Sequence, residues 1–181
     1  MPFLDAIDPS AQAIDSVNTI VNDNGTLTGF NTDYIAVKSL IASYQLDNGA
    51  RVMIRGSGGM GKAVIAAFRD AGFHDVIVAA RNRESGPVLA RQYGFQWQPQ
   101  PEGIACDILV NVTPVGMAGG KESDELAYSK VMVANAHVVF DVVALPPETP
   151  VIKLAQQWVK DYQRFRSDCL TGRGAVRHVH R

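Results

Sequence analysis

From residue 51 onward the chain alternates between two patterns. Runs of five to seven residues rich in Val and Ile, at 51–55, 75–80, 107–111 and 137–143, are set apart by stretches with helical spacing at 60–71 and 84–93. A run that is apolar on both faces predicts a strand buried in a parallel sheet, and helices between such runs predict βαβ units. After Pro146-Pro147, Thr149 is placed to cap a last helix reaching Lys160, with Val151, Leu154, Ala155 and Trp158 facing inward.

The first fifty residues have a different rhythm. Residues 9–16 predict one short helix. Residues 17–21 alternate and are β-branched, and they meet Asn22-Asp23-Asn24-Gly25 before 26–30. An Asn-Gly pair between two such runs predicts a hairpin. Asn31-Thr32-Asp33 then offers caps for a helix to about Tyr44, with Ile35, Val37, Leu40 and Ile41 on its apolar side.

The chain has 181 residues, 46% of them hydrophobic, and a net charge of −1. No apolar run approaches the ~18 residues of a membrane span, and the first residues lack the basic and apolar regions of a signal peptide. The balanced charge speaks against a general nucleic-acid binder. Cys106 and Cys169 make neither a metal spacing nor a disulfide framework. These features predict a cytoplasmic protein with no membrane or nucleic-acid partner. The charge is uneven, however: the last 21 residues, with five of the eleven arginines, carry +3, and residues 1–160 carry −4.

Candidate chemistry begins at Gly56-Ser57-Gly58-Gly59-Met60-Gly61, a G-x-G-x-x-G stretch that follows a predicted strand and opens a predicted helix. In that setting Gly56 permits a tight turn and Gly58 lets a pyrophosphate approach the backbone. Gly61 lets helix pack on strand, and the helix N-terminus supplies free N–H donors. After the next strand an NAD-binding unit usually carries an acid for the ribose 2′-hydroxyl. Here Arg81-Asn82-Arg83 stand instead, with no acid before Glu84. A guanidinium suits the extra phosphate of NADP, although arginines at such a place are also commonly solvated surface groups.

Five segments in order carry a resemblance. Residues 13–21, with Val17-Asn18-Thr19, and Gly29-Phe30-Asn31-Thr32-Asp33 resemble the VNT and G-x-NTD motifs of shikimate dehydrogenases. Residues 56–63 resemble their GxGGxxxA loop, and Asn111-Val112-Thr113-Pro114-Val115-Gly116-Met117 their N-x-TP-x-GM segment. Asp141-Val142-Val143 and Glu148-Thr149-Pro150 resemble their D-x-x-Y-x-P-x-x-T stretch. The resemblance implies an NADP-dependent reduction of 3-dehydroshikimate to shikimate, in aromatic amino-acid biosynthesis. It implies that Asn18 binds substrate hydroxyls and that Asp33 binds substrate as the acidic half of a Lys–Asp catalytic pair. It further implies that Gly56, Ser57, Gly58, Gly59, Met60, Gly61, Arg81, Asn82 and Arg83 hold NADP, while Asn111, Thr113, Gly116 and Met117 line the nicotinamide side. Taken singly, Asn18 and Asp33 read as a turn residue and a helix cap, and Met117 as core packing.

The departures are informative. Ala80 and Asn82 replace the outer residues of the family's N-R-T triplet, and Ala144 stands where a Tyr is usual. They point to the shikimate-dehydrogenase-like branch, with shikimate, quinate or another hydroxy acid as substrate. The family's catalytic lysine precedes a segment like Met1-Pro2-Phe3, so no lysine here occupies its position, and impaired turnover is expected. From Asp161 on, codons read one base later can spell T-I-S-G-S-E-V-I-A-L-Q-A, similar to the family's closing helix, which points to a frameshift near Val159–Lys160. The expected organisation is α/β. A remnant of a substrate domain occupies 1–45, a Rossmann-like doubly wound domain of about four parallel strands 46–160, and a disordered, frameshift-derived tail 161–181. Monomer and homodimer are both open. A non-enzymatic NADP-binding product is the alternative function, and an oxidoreductase acting on folates or glutamyl-tRNA is a third.

Overall fold

The computed structural model describes residues 3–158 and the backbone of 175–178. Two sheets organise these residues. In the smaller, β1 (Ala6–Ile7) lies parallel to β3 (Thr26–Phe30), which pairs on its other edge with the antiparallel β2 (Thr19–Asp23). The turn between β2 and β3 places Asn24 and Gly25 at φ +49° and +95°, the left-handed pair that matches the twist of a hairpin. The Asn22 side chain accepts from Gly25 N–H at 2.9 Å and closes it. Helix α1 (Pro9–Gln12) is capped by Asp8, shorter than the pattern predicts.

Helix α2 (Thr32–Ser43) is started by Asn31, a buried side chain whose oxygen accepts from Tyr34 N–H at 3.0 Å. The larger sheet follows with β4 (Val52–Arg55), α3 (Gly59–Asp70), β5 (Val76–Ala79), α4 (Ser85–Gln92), β6 (Gln96–Gln98), β7 (Ile108–Asn111), α5 (Lys130–Asn135), β8 (Val138–Asp141), α6 (Pro150–Trp158) and β9 (Ala175–His178). Its strand order is β6-β5-β4-β7-β8-β9, parallel throughout except for the antiparallel edge strand β9.

There are thus five parallel strands rather than four. The fifth, Gln96-Trp97-Gln98, carries no apolar run; Trp97 secures it by donating from Nε1 to the Ala80 carbonyl at 3.2 Å. The tail lies outside the described residues apart from β9, whose backbone pairs with β8 from Ala175 to His178. The expected frameshift point at Val159–Lys160 also lies outside them.

Both faces of the sheet are covered. Val52, Ile54, Val76, Val78, Ile108 and Val110 meet α2, α3 and α4, while Met53, Ile77, Leu109 and Val139 meet α5 and α6. The first fifty residues are fastened to this body by polar contacts as well as apolar ones. Tyr34 donates to Asp70 at 2.7 Å, joining α2 to the C-terminal end of α3, and Tyr93 donates to the Ala13 carbonyl at 3.2 Å. Ile20 and Val21 on β2 remain exposed. No helix among the described residues is long and apolar enough to cross a membrane.

Candidate functional site

The strand order reverses its direction of growth between β4 and β7, the first running outward to β5 and β6 and the second to β8. In an open parallel sheet such a switch point leaves a crevice beyond the C-terminal strand ends. A cleft of about 300 Å³ lies there. Each of four strands contributes a wall: Arg55 to Gly58 after β4, Ala79 to Asn82 after β5, Pro99 to Pro101 after β6, and Val112 to Val115 after β7.

The glycines divide into two kinds. Gly56 sits at φ +124°, and a Cβ there would come within 2.8 Å of Val112 Cγ2; a Cβ on Gly61 would stand 2.9 Å from the Gly56 carbonyl oxygen. These two fit protein against protein. Around Gly58 and Gly59 a Cβ would meet nothing within 4 Å. Their bareness therefore keeps space open for something outside the chain. Gly58 is the N-cap of α3 and makes no side-chain capping bond, so the first N–H groups of that helix point at the space with their positive end of the dipole. This donor set fits a pyrophosphate.

The cleft's far wall is built on a buried network. Asn111, fully buried, donates from Nδ2 to the Val115 carbonyl at 3.2 Å and to Asp141 Oδ1 at 3.1 Å. Its Oδ1 accepts from Thr113 N–H at 3.1 Å and Thr113 Oγ1 at 2.6 Å. Asp141, 1% exposed, also accepts from Val143 N–H at 3.0 Å and from Thr149 Oγ1 at 2.7 Å. Burial pushes its carboxyl above the usual range, and these donors pull it part of the way back. Tyr128 is buried with its hydroxyl between β4 and β7. Its hydroxyl accepts from Arg55 N–H at 3.1 Å and donates to the Val110 carbonyl at 2.6 Å. Arg55 reaches back to the carbonyls of Leu126 and Ala127. The glycine loop is therefore tied to the β7–α5 connection.

No family model matches the chain. A shikimate dehydrogenase-like protein of Haemophilus influenzae is 56% identical over 156 residues, which cover 86% of this chain and 58% of that protein. The shikimate dehydrogenase (NADP(+)) of Oleidesulfovibrio alaskensis is 34% identical over 163 residues, 86% of this chain and 57% of the relative. Among solved structures, a shikimate 5-dehydrogenase-like protein matches with TM-score 0.85 and 56% identity, covering 87% of this chain and 59% of that one. Over this shared stretch the chain belongs to the shikimate dehydrogenase family. It spans a little under three fifths of the length of the curated relatives it matches. The shikimate 5-dehydrogenase of Thermus thermophilus, solved with NADP(H) and shikimate, matches with TM-score 0.73 at 28% identity, over 87% of this chain and 59% of its own.

In this member of the family the residues singled out from sequence fall into two groups. Gly56, Ser57, Gly58, Arg81, Asn82 and Thr113 line the cleft together, and Gly59, Met60 and Gly61 continue from it as the first turn of α3. Arg83 is exposed and does not line the cleft; Gly116 and Met117 lie beyond it on the β7–α5 connection. Asn111 spends every polar atom of its side chain on the protein, so it positions the loop rather than facing a ligand. Asn82 accepts from Glu84 N–H and Ser85 N–H, both at 2.9 Å, and so starts α4.

The second group sits at the head of α2. Asn18 Oδ1 accepts from Thr32 N–H at 2.9 Å and Thr32 Oγ1 at 3.2 Å, which places it beside Asp33. Asp33 is half-buried in the first turn of the helix. No hydrogen bond among the described residues joins Asn18 or Asp33 to the cleft, and Tyr34 next door contacts the end of α3 remote from it. The lysine nearest in sequence, Lys38, is held over the Tyr34 ring with Nζ 5.6 Å from its centre. Asp141, Thr149 and Tyr128 carry the site's framework; sequence reasoning gives Thr149 a role only as a helix cap, which its long bond from Ile152 N–H agrees with, and gives the other two none. Aspartate and threonine eight residues apart around a proline-rich bend were the available signal.

Proposed function

We propose that the chain carries the dinucleotide-binding half of an NADP-dependent oxidoreductase acting on a shikimate-like hydroxy acid. The observation that carries this reading is the pairing of the bare Gly58 with Arg81 on one switch-point cleft, with the equally bare Gly59 next to it in the first turn of α3. The glycines leave room for a pyrophosphate over the α3 N-terminus, and Arg81 stands where the adenosine ribose of a dinucleotide is read. Gly56 to Gly59 and Arg81 would hold the cofactor, with Thr113 and Met117 toward its reactive ring. A nicotinamide held there would supply hydride exchange with a substrate carbon. The hydroxyl proton of such a substrate needs a positioned acceptor. Asp33, a half-buried carboxylate with no bonded partner among the described residues, can hold that proton, and Asn18 can orient a hydroxyl beside it.

Asp33 has no bonded lysine among the described residues. We therefore assign this polypeptide binding of the dinucleotide with impaired turnover. The substrate class rests on relatives, including a quinate dehydrogenase of Corynebacterium glutamicum, solved with NAD, that matches at TM-score 0.72 and 27% identity over 87% of this chain and 60% of its own. Titration with NADPH and NADH by fluorescence is the test, followed by shikimate and quinate oxidation assays. Saturable NADPH binding that weakens on Arg81→Gln supports the reading. Failure of both dinucleotides to bind refutes it. Binding without turnover favours a non-enzymatic NADP-binding product, and turnover excludes it.

A further inference from the structure

Arg81 is not a free cation. Its Nη1 donates to Glu122 Oε1 at 3.0 Å, closing an ion pair between the loop after β5 and the loop after β7. Only Arg81 is loosely placed, with a side chain 66% exposed against 26% for Glu122. Glu122 is set by its backbone: its carbonyl accepts from Gly116 N–H at 2.8 Å and from Glu125 N–H at 3.2 Å. Gly116 is itself fixed at φ +86°, where a Cβ would stand 3.1 Å from Pro150 Cδ. A carboxylate on an anchored loop thus holds a guanidinium on a cleft wall.

We propose that Glu122 is a specificity-determining residue: an internal anion that competes with the dinucleotide's 2′-phosphate for Arg81 and so sets the balance between NADP and NAD. This rests on the cofactor reading given above. The second strand of an NAD-binding unit usually ends in an acid that accepts from the ribose 2′-hydroxyl. That acid is missing from residues 80–83, and Glu122 delivers a carboxylate to the same neighbourhood from the other side of the switch point. With a 2′-phosphate present, the carboxylate and the phosphate compete for one guanidinium, and the bond already made to Glu122 weakens the hold of Arg81 on the phosphate. With a 2′-hydroxyl present, Glu122 can accept from it while keeping its bond to Arg81, since a carboxylate has lone pairs for both. The ion pair therefore penalises the phosphorylated cofactor and tolerates the other.

The experiment is a set of four titrations with NADPH and NADH, on the parent chain, Glu122→Gln, Arg81→Gln and the double variant. The amide keeps the shape and removes the charge. Glu122→Gln is expected to tighten NADPH about threefold, the scale of an exposed ion pair, and to leave NADH equal or weaker. In the Arg81→Gln background the same change is expected to shift NADPH less than about twofold, because the competition has lost its object. 2′,5′-ADP and 5′-AMP, competed against NADPH, repeat the contrast without the nicotinamide. An unchanged NADPH-to-NADH ratio in Glu122→Gln, or an equal gain with and without Arg81, overturns the inference while the cofactor reading stands. Failure of the parent chain to bind either dinucleotide overturns both.

Discussion

Thr149→Val tests whether the buried polar network, rather than apolar packing alone, holds the cleft's far wall in place. The substitution keeps the side chain's volume and removes one hydroxyl. That hydroxyl donates 2.7 Å to Asp141, and both residues are 1% exposed, so no water replaces the bond. A hydrogen bond to a buried carboxylate contributes about 1.5–3 kcal/mol. The same oxygen accepts from Ile152 N–H at 3.5 Å, a long capping bond at the start of α6, whose loss adds well under the ~1 kcal/mol of a good cap. The expected cost is about 2–3 kcal/mol, read as a fall of roughly 4–12 °C in the thermal midpoint for a chain of this size. The pH dependence has a definite sign. Asp141 is already raised by burial, so its contribution to stability falls as pH rises from the ordinary carboxylate range through its folded value. Removing a donor raises it further. The difference between parent and variant should therefore be larger at pH 7 than at pH 4. Circular-dichroism melts at both values measure it. A cost under about 1 kcal/mol at pH 7, or a difference that grows toward acid, would refute the account. A cycle with Asp141→Asn supplies the control, since the variant's penalty should shrink once the charge is gone.

Two further expectations follow from the same geometry. Gly58→Ala and Gly61→Ala should separate binding from folding. The first places a methyl in open space and should leave the melting midpoint nearly unchanged while weakening NADPH by about tenfold or more, because the methyl fills the room a pyrophosphate needs. The second drives a methyl to 2.9 Å from the Gly56 carbonyl and should cost about 1–3 kcal/mol as overpacking; equal melting curves for the two would contradict this division. At the α2–α3 junction, the Arg69 guanidinium, with the Tyr34 hydroxyl, holds the Asp70 carboxyl below its usual range. Its contribution to stability is present above the ordinary carboxylate range and is lost as pH falls through the lowered folded value. Asp70→Asn should accordingly be less stable than the parent at pH 7 and converge on it near pH 2, as followed by urea unfolding.

What the sequence made legible follows from where each signal is local. The four strands first recognised are buried on both faces, so their Val and Ile runs speak without context. Trp97 announces no strand, because β6 is short, edge-placed and flanked by glutamines; its evidence is a bond to Ala80 and the packing of Gly86, whose Cβ would lie 2.4 Å from the indole nitrogen. α5 spans only Lys130–Asn135, too short for a periodicity to build. The glycine loop was legible as a motif, yet the motif does not say which glycines serve the protein and which serve a ligand. The space around each Cβ position does: Gly56 and Gly61 are closed by Val112 and by the loop itself, while Gly58 and Gly59 open outward. Asn111 illustrates the converse. It lies in a motif whose resemblance implies a nicotinamide neighbour, but a side chain with two donors and an acceptor, buried between two loops, is satisfied by those loops first. Pairings such as Arg81 with Glu122 and Asn111 with Asp141 span 41 and 30 residues. No periodicity encodes such distances; they arise because parallel strands bring their C-terminal loops to one edge of the sheet. In this fold the chemistry collects there for the same reason, and a residue's role is decided by its neighbours across the switch point more than by those along the chain.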